Sequence, residues 1–202
     1  MVDYEKLWAD KDFKQTKGRT LLHCDLFLSL YNHIESHTNA PSIGIEPTLI
    51  DWGCGNGSHV QRFMEHGVEV VGMVDIAPNS IDQMGSRDYI NDEIMSIFQA
   101  AHIKDATPEK AHWSYCSDVL EHVPESEIDD SIRNIVQHTK KPGFIFFNIS
   151  TRSDKWDEKE LHVTQKGFQW WIDKMESLIP GVTIFSCNYF WDSLGTLWYI
   201  EE

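Results

Sequence analysis

Three side chains that can exchange protons or bind metal ions lie close together in the segment SYCSDVLEHVPE, residues 114–125. Asp118, Glu121 and His122 are spaced so that they would share one face of a helix beginning near Ser117. A histidine beside a carboxylate suits the removal of a proton near neutral pH. Two carboxylates and a histidine also suit a divalent metal ion. A third interpretation is that these residues only cap and pack a helix.

His162 lies farther along the chain, in the segment KELHVTQKGFQWW. Its position just after the fifth predicted strand makes it the best candidate for a further ligand if the segment around Asp118 holds a metal. The predicted catalytic residues, which are also the optional metal ligands, are Asp118, Glu121, His122 and His162.

A glycine-rich turn follows the first apolar run, in the segment LIDWGCGNGSH. Gly53, Gly55 and Gly57 let the backbone approach a ligand closely where the turn leads into a helix. A dinucleotide-binding fingerprint would have its third glycine where this chain has Ser58. Asp51, at the mouth of the strand, suits a cationic ligand. The pattern therefore disfavours a nicotinamide-dependent dehydrogenase.

A second acid, Asp75, ends the apolar run VVGMVD. It follows Asp51 by the length of a strand, a helix and a second strand. A carboxylate at the tip of a second strand can accept hydrogen bonds from both hydroxyls of a ribose. Two acids and three glycines in one such unit predict a ligand-binding loop rather than a simple turn.

The segments LIDWGCGNG and VVGMVDIAPNSI resemble motifs I and II of the class I S-adenosylmethionine-dependent methyltransferases. The resemblance implies that the glycine loop passes under the methionine part of the cofactor, that Asp51 lies near the methionine amino group and that Asp75 holds the ribose. It implies a Rossmann-like, doubly wound α/β fold with a seven-stranded, mostly parallel sheet and one antiparallel C-terminal strand. The cofactor-binding residues expected on this basis are Asp51, Gly53, Cys54, Gly55, Asn56, Gly57, Asp75, Ile76, His102, Ile103, Ser117 and Asp118.

The segment IFQAAHIKD is the best match to the third strand of that family. Family members usually offer an acid and a backbone N–H to the adenine at the tip of this strand. In this chain His102 stands in place of the acid, and Ile103 could supply the backbone donor.

The segment DVLEH also resembles the E-x-x-E-H motif of small-RNA 2′-O-methyltransferases, in which the motif and a later histidine bind a metal. The first acid here is Asp118 rather than glutamate, and the segment around His162 does not match closely. The segments DVLEHVPESEIDDSIRNI, FFNIS and LHVTQKGFQWW resemble a group of short bacterial and phage methyltransferases. That resemblance implies joint action of Asp118, Glu121, His122 and His162.

Apolar runs that alternate with amphipathic segments must position these residues. Helices are predicted at residues 57–66, 79–86, 125–139 and 164–179. The alternation predicts a mostly parallel sheet covered on both faces, and the short connection WDSLG predicts a final hairpin. Thr164 is the predicted N-cap of the last helix. We expect an N-terminal helical arm over residues 1–44 and a methyltransferase domain over residues 45–202, which together form one globular domain.

The chain of 202 residues carries 17 basic and 32 acidic side chains, a net charge of −15. This charge repels phosphate backbones and disfavours long nucleic acid as a partner. The four cysteines are far apart in the sequence, which favours free thiols in a reducing compartment. No segment has the pattern of a signal peptide or a membrane span. We therefore expect a cytoplasmic protein, in the host cytoplasm if viral, with no membrane partner.

Taken together, these patterns predict an enzyme that transfers a methyl group from S-adenosylmethionine to an oxygen or nitrogen of a small-molecule or locally accessible acceptor. The acceptor is expected to be small or presented by a partner, because the chain has little length for a separate substrate domain. A divalent metal is left open as a second cofactor. Two alternatives stay open: a metal-assisted O-methyltransferase of a nucleic-acid or sugar hydroxyl, and a non-catalytic S-adenosylmethionine-binding partner subunit.

Overall fold

The computed structural model describes residues 2–16, 21–37, 47–81, 92–179, 182–190 and 193–201. Within these residues the strands are β1 (Thr48–Trp52), β2 (Glu69–Asp75), β3 (Phe98–Ala100), β4 (Ala111–Ser117), β5 (Thr139–Ser150), β6 (Lys155–Trp156), β7 (Lys159–Glu160), β8 (Val182–Phe190) and β9 (Ser193–Ile200). The helices are α1 (Tyr4–Ala9), α2 (Lys11–Thr16), α3 (Leu22–His37), α4 (Ser58–Glu65), α5 (Asp92–Ile97), α6 (Ile128–His138) and α7 (Phe168–Leu178).

The main sheet joins seven strands in the order β3-β2-β1-β4-β5-β9-β8. Strands β1 to β5 pair in parallel, and β9 runs antiparallel to both β5 and β8. Six strands therefore share one direction, and one C-terminal strand opposes them. The predicted doubly wound, mostly parallel sheet with an antiparallel C-terminal strand is confirmed.

The central strands are buried along their whole length. Every residue of β1 and of β4 is buried, which is the pattern of parallel strands covered on both faces. One face packs against α6 and α7, with Trp52, Ile132 and Trp171 in its core. The other face packs against α3 and α4, where Phe27 and Phe63 contact the buried strand residues.

Two predicted helices are present close to their expected bounds. The helix predicted at 57–66 is α4, and the one predicted at 125–139 is α6, preceded by a 3₁₀ turn over Glu125–Glu127. Most of the helix predicted at 79–86 lies outside the described residues. Among the described residues, no helix is both long and apolar enough to cross a membrane.

The start of the last helix differs from the prediction. Helix α7 begins at Phe168 with Gly167 as its N-cap, so the prediction of Thr164 as N-cap is wrong. Thr164 Oγ1 instead donates to the carbonyl of Val123 at 2.6 Å, and its backbone N–H donates to the carbonyl of Glu121 at 3.0 Å. These bonds hold the segment after β7 against the segment after β4.

The carboxyl ends of β1, β2 and β4 meet at one edge of the sheet, beside the point where the strand order reverses between β1 and β4. Ligands of open α/β sheets bind at such a position. Helix α1 lies over this edge, because Trp8 packs in one cluster with Ala77 and Leu161. Asn79 Nδ2 also donates to the carbonyl of Glu5 at 2.9 Å.

Candidate active site

The glycine loop after β1 has a backbone conformation and surroundings that require glycine. Gly53 has φ +79°, and a Cβ added there would overlap Val119 Cγ2. Gly55 has φ +52°, and an added Cβ would lie 3.2 Å from Trp8 Cζ2. Side chains rarely adopt this left-handed conformation. The loop is therefore packed between the segment after β4 and helix α1.

Asp75 holds the glycine loop in place. Its Oδ2 accepts the N–H of Gly55 and its Oδ1 accepts the N–H of Ala77, both at 2.9 Å. Burial raises the pKa of Asp75, while these two backbone N–H groups act to lower it. The carboxylate thus links the loop to the turn after β2, where the sequence predicts a ribose contact.

Asp51 carries a buried carboxylate oxygen without a partner. The residue is 1 % exposed, and its Oδ2 has no hydrogen bond to any described residue. Burial, and then the charge of Asp75, raise the pKa of Asp51 to about 8. An unsatisfied buried carboxylate is costly, and a cationic group beside it would remove that cost.

The other predicted cofactor residues occupy varied environments. Cys54 is buried in a small apolar cluster, and Asn56 Oδ1 accepts the N–H of Ser58 at 3.1 Å before α4. Ile76 is 44 % exposed directly after Asp75, so its apolar side chain is available to a ligand. Gly57 is the N-cap of α4, with φ +74°.

The two residues predicted at the adenine site, His102 and Ile103, lie in the turn after β3 and contact other residues of the protein. His102 Nε2 lies 3.2 Å from Glu127 Oε2, so its ring faces a carboxylate of the protein. Ile103 is buried, and its carbonyl accepts Asn134 Nδ2 at 2.6 Å. The structure therefore places the His102 side chain against Glu127 and leaves any adenine contact of this segment as a prediction.

The segment DVLEH does not form the predicted helix. Asp118 has φ +56°, and only Leu120–His122 form a short 3₁₀ turn. The N–H of Asp118 donates to the carbonyl of Asn148 at 2.9 Å, after which the chain turns and Val119 packs on the glycine loop. The prediction that Asp118, Glu121 and His122 share one helical face is wrong.

Asp118 belongs to a cluster with α3 and β5. His23 Nδ1 lies 3.0 Å from Asp118 Oδ2, Ser117 Oγ donates to the same oxygen at 3.1 Å, and Asn148 Nδ2 donates to Oδ1 at 3.2 Å. Partial desolvation acts to raise the pKa of Asp118, but the hydrogen bond and charge of His23 lower it overall. The carboxylate is therefore ionised and partnered. The sequence analysis missed His23, since no local pattern links residues 95 positions apart.

Glu121, His122 and His162 form a second cluster. One ligand atom from each of these residues lies within 4.8 Å of the other two, and the two imidazole rings are 4.7 Å apart at their centroids. Glu121 is completely buried; its Oε1 accepts the N–H of Ser150 at 2.8 Å, and its Oε2 has no partner among the described residues. The structure thus brings together three of the four predicted catalytic residues and separates Asp118 from them.

Both histidines of this cluster are fixed by backbone carbonyls. His122 Nδ1 lies 3.0 Å from the carbonyl of Leu161, and His162 Nδ1 lies 2.6 Å from that of Arg152. A carbonyl can only accept, so each Nδ1 carries a proton, and Nε2 is the ring nitrogen that remains for a ligand. Burial, and then the charge of His162, lower the pKa of His122 to about 4, which keeps this ring neutral at pH 7.

Helix α1 covers both parts of the site. Tyr4 lies edge-on to His122, with ring centroids 5.9 Å apart, and its buried hydroxyl has no partner among the described residues. Burial, and then the charge of Glu121, raise the pKa of Tyr4. Trp8 contacts the glycine loop at the other side. Neither residue could be predicted from the sequence, because the pattern of a charged N-terminal segment does not show which residues its aromatic side chains will contact.

A family model described as a methyltransferase domain matches residues 27–186. The chain belongs to this methyltransferase family. No curated protein matches the sequence. The predicted class I methyltransferase fold is confirmed by this match and by the strand order of the sheet.

Solved methyltransferases share the fold of this methyltransferase. An S-adenosylmethionine-dependent methyltransferase of Clostridium acetobutylicum is 11% identical with a TM-score of 0.67, covering 98% of this chain and 99% of its own. The N-methyltransferase NodS of Bradyrhizobium japonicum, in complex with S-adenosyl-L-homocysteine, is 15% identical with a TM-score of 0.65, covering 98% and 96%. Magnesium protoporphyrin IX methyltransferase of Synechocystis, with bound S-adenosylmethionine, is 14% identical with a TM-score of 0.63, covering 98% of both chains.

The residues at the sheet edge fit S-adenosylmethionine as the cofactor of this methyltransferase. The unpartnered Oδ2 of Asp51 is a site for the methionine ammonium group, and it is buried where a cation is needed. The loop at Gly53 and Gly55 has no side chains that would occupy the approach to its backbone. Asp75 already orders this loop and has acceptor capacity left for ribose hydroxyls.

Proposed function

We propose that this methyltransferase methylates an oxygen or nitrogen atom of a small or locally accessible acceptor, held beside Glu121, His122 and His162. The observation that carries the proposal is a buried Glu121 Oε2 atom without a partner among the described residues, close to two imidazole rings whose Nδ1 atoms are bonded to backbone carbonyls. The atoms of this cluster that remain for a ligand are Oε2 of Glu121 and the Nε2 atoms of the two rings. A group that satisfies them must bring hydrogen atoms or positive charge, as a hydroxyl, an amine or a metal ion does.

The position of this cluster supports its assignment to the acceptor side. Val119, between the two clusters, packs directly on Gly53 of the glycine loop. Glu121 and His122 follow Val119 two and three residues later, so the cluster lies near the loop that suits the methionine part of the cofactor. When bound, S-adenosylmethionine supplies a methyl group on a positively charged sulfur for in-line displacement. The protein's task is then to position the acceptor and to accept the proton that it releases.

The covering of the site supports a small acceptor. Tyr4 and Trp8 of α1 lie over the two halves of the site, and Phe13 packs on Trp156 of the β6–β7 hairpin with ring centroids 5.3 Å apart. Aromatic side chains over the edge of the sheet would exclude water from a bound acceptor. The hairpin at residues 154–160 forms a two-stranded sheet separate from the main one and is suited to admit an acceptor.

A first experiment tests cofactor binding by calorimetry with S-adenosylmethionine and S-adenosylhomocysteine. Asp75→Ala removes the acceptor of two backbone N–H groups and of the ribose hydroxyls, and the affinity should fall on the order of 100-fold, since each hydrogen bond to a charged group contributes about 1.5–3 kcal/mol. Asp130→Ala is the matched control, because Asp130 is an acid on α6 that is 69 % exposed. Absence of binding to the wild type, or equal binding to Asp75→Ala, would overturn the proposal.

A second experiment identifies the acceptor. Methyl-labelled cofactor is incubated with the protein and a fractionated cell extract, and the labelled product is located among small molecules, proteins and nucleic acids. The proposal predicts label in a small-molecule or exposed acceptor group, on oxygen or nitrogen. Tight cofactor binding with no label transfer into any fraction would instead favour a non-catalytic partner subunit.

A further inference from the structure

We propose that Glu121, His122 and His162 bind one divalent transition-metal ion. One ligand atom of each residue lies within 4.8 Å of those of the other two, and no hydrogen bond joins Glu121 Oε2 to either ring. Because Oε1 and both Nδ1 atoms are already bonded to the backbone, the ligand atoms that remain are Glu121 Oε2 and the two Nε2 atoms. Ligands held at about 2.0–2.1 Å from a tetrahedral metal lie roughly 3.4 Å apart, so the spacing suits a shared ion better than direct contact.

The hydrogen bonds around the cluster already fix the ligand atoms. The Nδ1–H groups of His122 and His162 donate to backbone carbonyls, which fixes both rings and leaves Nε2 as the nitrogen for a metal. Histidine ligands of metal sites are usually oriented in this way by a bond from their other ring nitrogen. The N–H of Ser150 holds Oε1 of Glu121 and leaves Oε2 for the metal.

A second argument for a metal ion is the unpartnered oxygen of Glu121. Glu121 is completely buried, and its Oε2 has no partner among the described residues. Neither imidazole ring forms a hydrogen bond with that oxygen. A cation at the centre would satisfy all three atoms together.

The donor set indicates the class of metal. Two imidazole nitrogens and one carboxylate suit Zn²⁺, Co²⁺, Fe²⁺ or Mn²⁺, whereas Mg²⁺ and Ca²⁺ prefer a shell of oxygens. Three protein ligands leave coordination positions open. That the metal uses an open position to hold an acceptor oxygen rests on the proposed function, whereas metal binding itself does not.

The proposed metal site has three ligands, whereas the sequence suggested four optional ones. Asp118 is partnered by His23, Ser117 and Asn148, and it lies outside the group of mutually close ligand atoms. Asp154 is a nearby carboxylate, with Oδ2 3.9 Å from His162 Nε2, and its side chain is 27 % exposed. Among the described residues, the ligands of the proposed site are therefore Glu121, His122 and His162.

The test titrates Zn²⁺ and Co²⁺ into the chelator-treated full chain by calorimetry, with the visible spectrum of Co²⁺ as a second readout. The wild type should bind one ion per chain and shift the Co²⁺ bands to those of a mixed nitrogen and oxygen site. Glu121→Gln and His162→Gln should each weaken binding by at least roughly 100-fold, since even groups outside the ligand set contribute 10–100-fold. His66→Gln is the matched control, because His66 Nδ1 also bonds a backbone carbonyl, that of Arg62, at 2.9 Å.

Two outcomes overturn the inference: a wild type that binds neither ion, or ion binding of equal strength in the wild type, Glu121→Gln and His162→Gln. Thermal unfolding in chelator establishes that each variant is folded, and either variant alone decides the matter if the other does not fold. Methyl-label transfer by the same samples separates this inference from the proposed function. Failed metal binding with intact methyl transfer removes only the metal, and metal binding without methyl transfer removes only the proposed function.

Discussion

Asp118 and Glu121 are acids of the same short segment, and they occupy opposite environments. The Asp118 side chain is 44 % exposed and has three polar partners, one of which comes from helix α3. Glu121 is completely buried, and one of its oxygens is unpartnered among the described residues. A satisfied carboxylate has little need of a ligand, whereas an unsatisfied buried one does. The difference supports the proposal that the acceptor binds beside Glu121, His122 and His162.

The positive φ at Asp118 separates the two clusters. A helix through this segment would have placed both acids on one face, but the left-handed turn directs Asp118 toward α3 and Glu121 toward β5. Val119, between them, packs on Gly53. Changes on either side of Val119 therefore test whether the two clusters act separately.

The largest expected effect is on methyl transfer in His162→Gln. Once an acceptor is identified, the rate of transfer should fall on the order of 1,000-fold, within the range of groups that position or deprotonate an acceptor. His66→Gln, a change outside both clusters, should keep the wild-type rate. Label-transfer kinetics at saturating cofactor measure both, and an unchanged rate in His162→Gln would place the acceptor elsewhere.

The second largest effect concerns the contact between Val119 and Gly53 of the glycine loop. Gly53→Ala should lower the free energy of unfolding by about 3 kcal/mol, because left-handed strain of about 1–2 kcal/mol adds to overpacking against Val119. Gly67→Ala is the matched control: Gly67 has φ +75° but nothing within 4 Å of an added Cβ, so only the strain applies. Urea unfolding of the two variants gives the difference, and equal losses would contradict the packing of Val119 on the loop.

A smaller effect is expected in the pH dependence of cofactor binding. Asp51 has a pKa of about 8 in the free protein, so it is mostly protonated below that pH and must lose a proton to pair with an ammonium group. Affinity for S-adenosylhomocysteine should therefore rise with pH between about pH 6 and about pH 8, by up to about tenfold per unit. The rise should end near pH 8, where the ligand's own amino group also begins to lose its proton. Calorimetry of Asp51→Asn should give a flat profile over the same range, and a parallel rise in that variant would exclude Asp51 as the titrating group.

The smallest effect is expected for Asp118→Asn. Its exposed, partnered carboxylate should contribute no more than about 1 kcal/mol to the free energy of unfolding. Its metal affinity should equal that of the wild type, because Asp118 is not one of the three close ligand atoms. Thermal unfolding and Zn²⁺ titration measure the two quantities. A loss of metal affinity as large as that of Glu121→Gln would return Asp118 to the ligand set and remove the distinction between the clusters.

The fold could be predicted, and the glycine loop and its two acids could be located, because their signals are local. The spacing of Asp51, the three glycines and Asp75 follows from one strand-helix-strand unit, and the order of apolar runs gave the sheet. The acceptor side depends on contacts between distant segments. The spacing of Asp118, Glu121 and His122 suggested a helix, but the backbone bond to Asn148 ends the strand in a left-handed turn.

Other features of the site depend on tertiary packing that no local pattern reveals. His23 reaches Asp118 from a helix near the N-terminus, and Tyr4 reaches His122 from α1. Thr164 has the residue type of an N-cap, yet its hydroxyl bonds to Val123 and so fixes the segment that carries His162. In each case the partner of the polar or aromatic side chain lies in a different segment of the chain, across the edge of the sheet.

The central claim is that the cofactor and the acceptor bind to different residues. Its most direct test is the affinity for S-adenosylhomocysteine of the wild type, Asp51→Asn and His162→Gln. Calorimetry near pH 8 in the presence of chelator measures this affinity. If Asp51 belongs to the cofactor side and His162 to the acceptor side, Asp51→Asn loses most of the affinity and His162→Gln keeps the wild-type value. An affinity lost to the same extent in both variants would contradict the account, because it would make the two clusters one cofactor site.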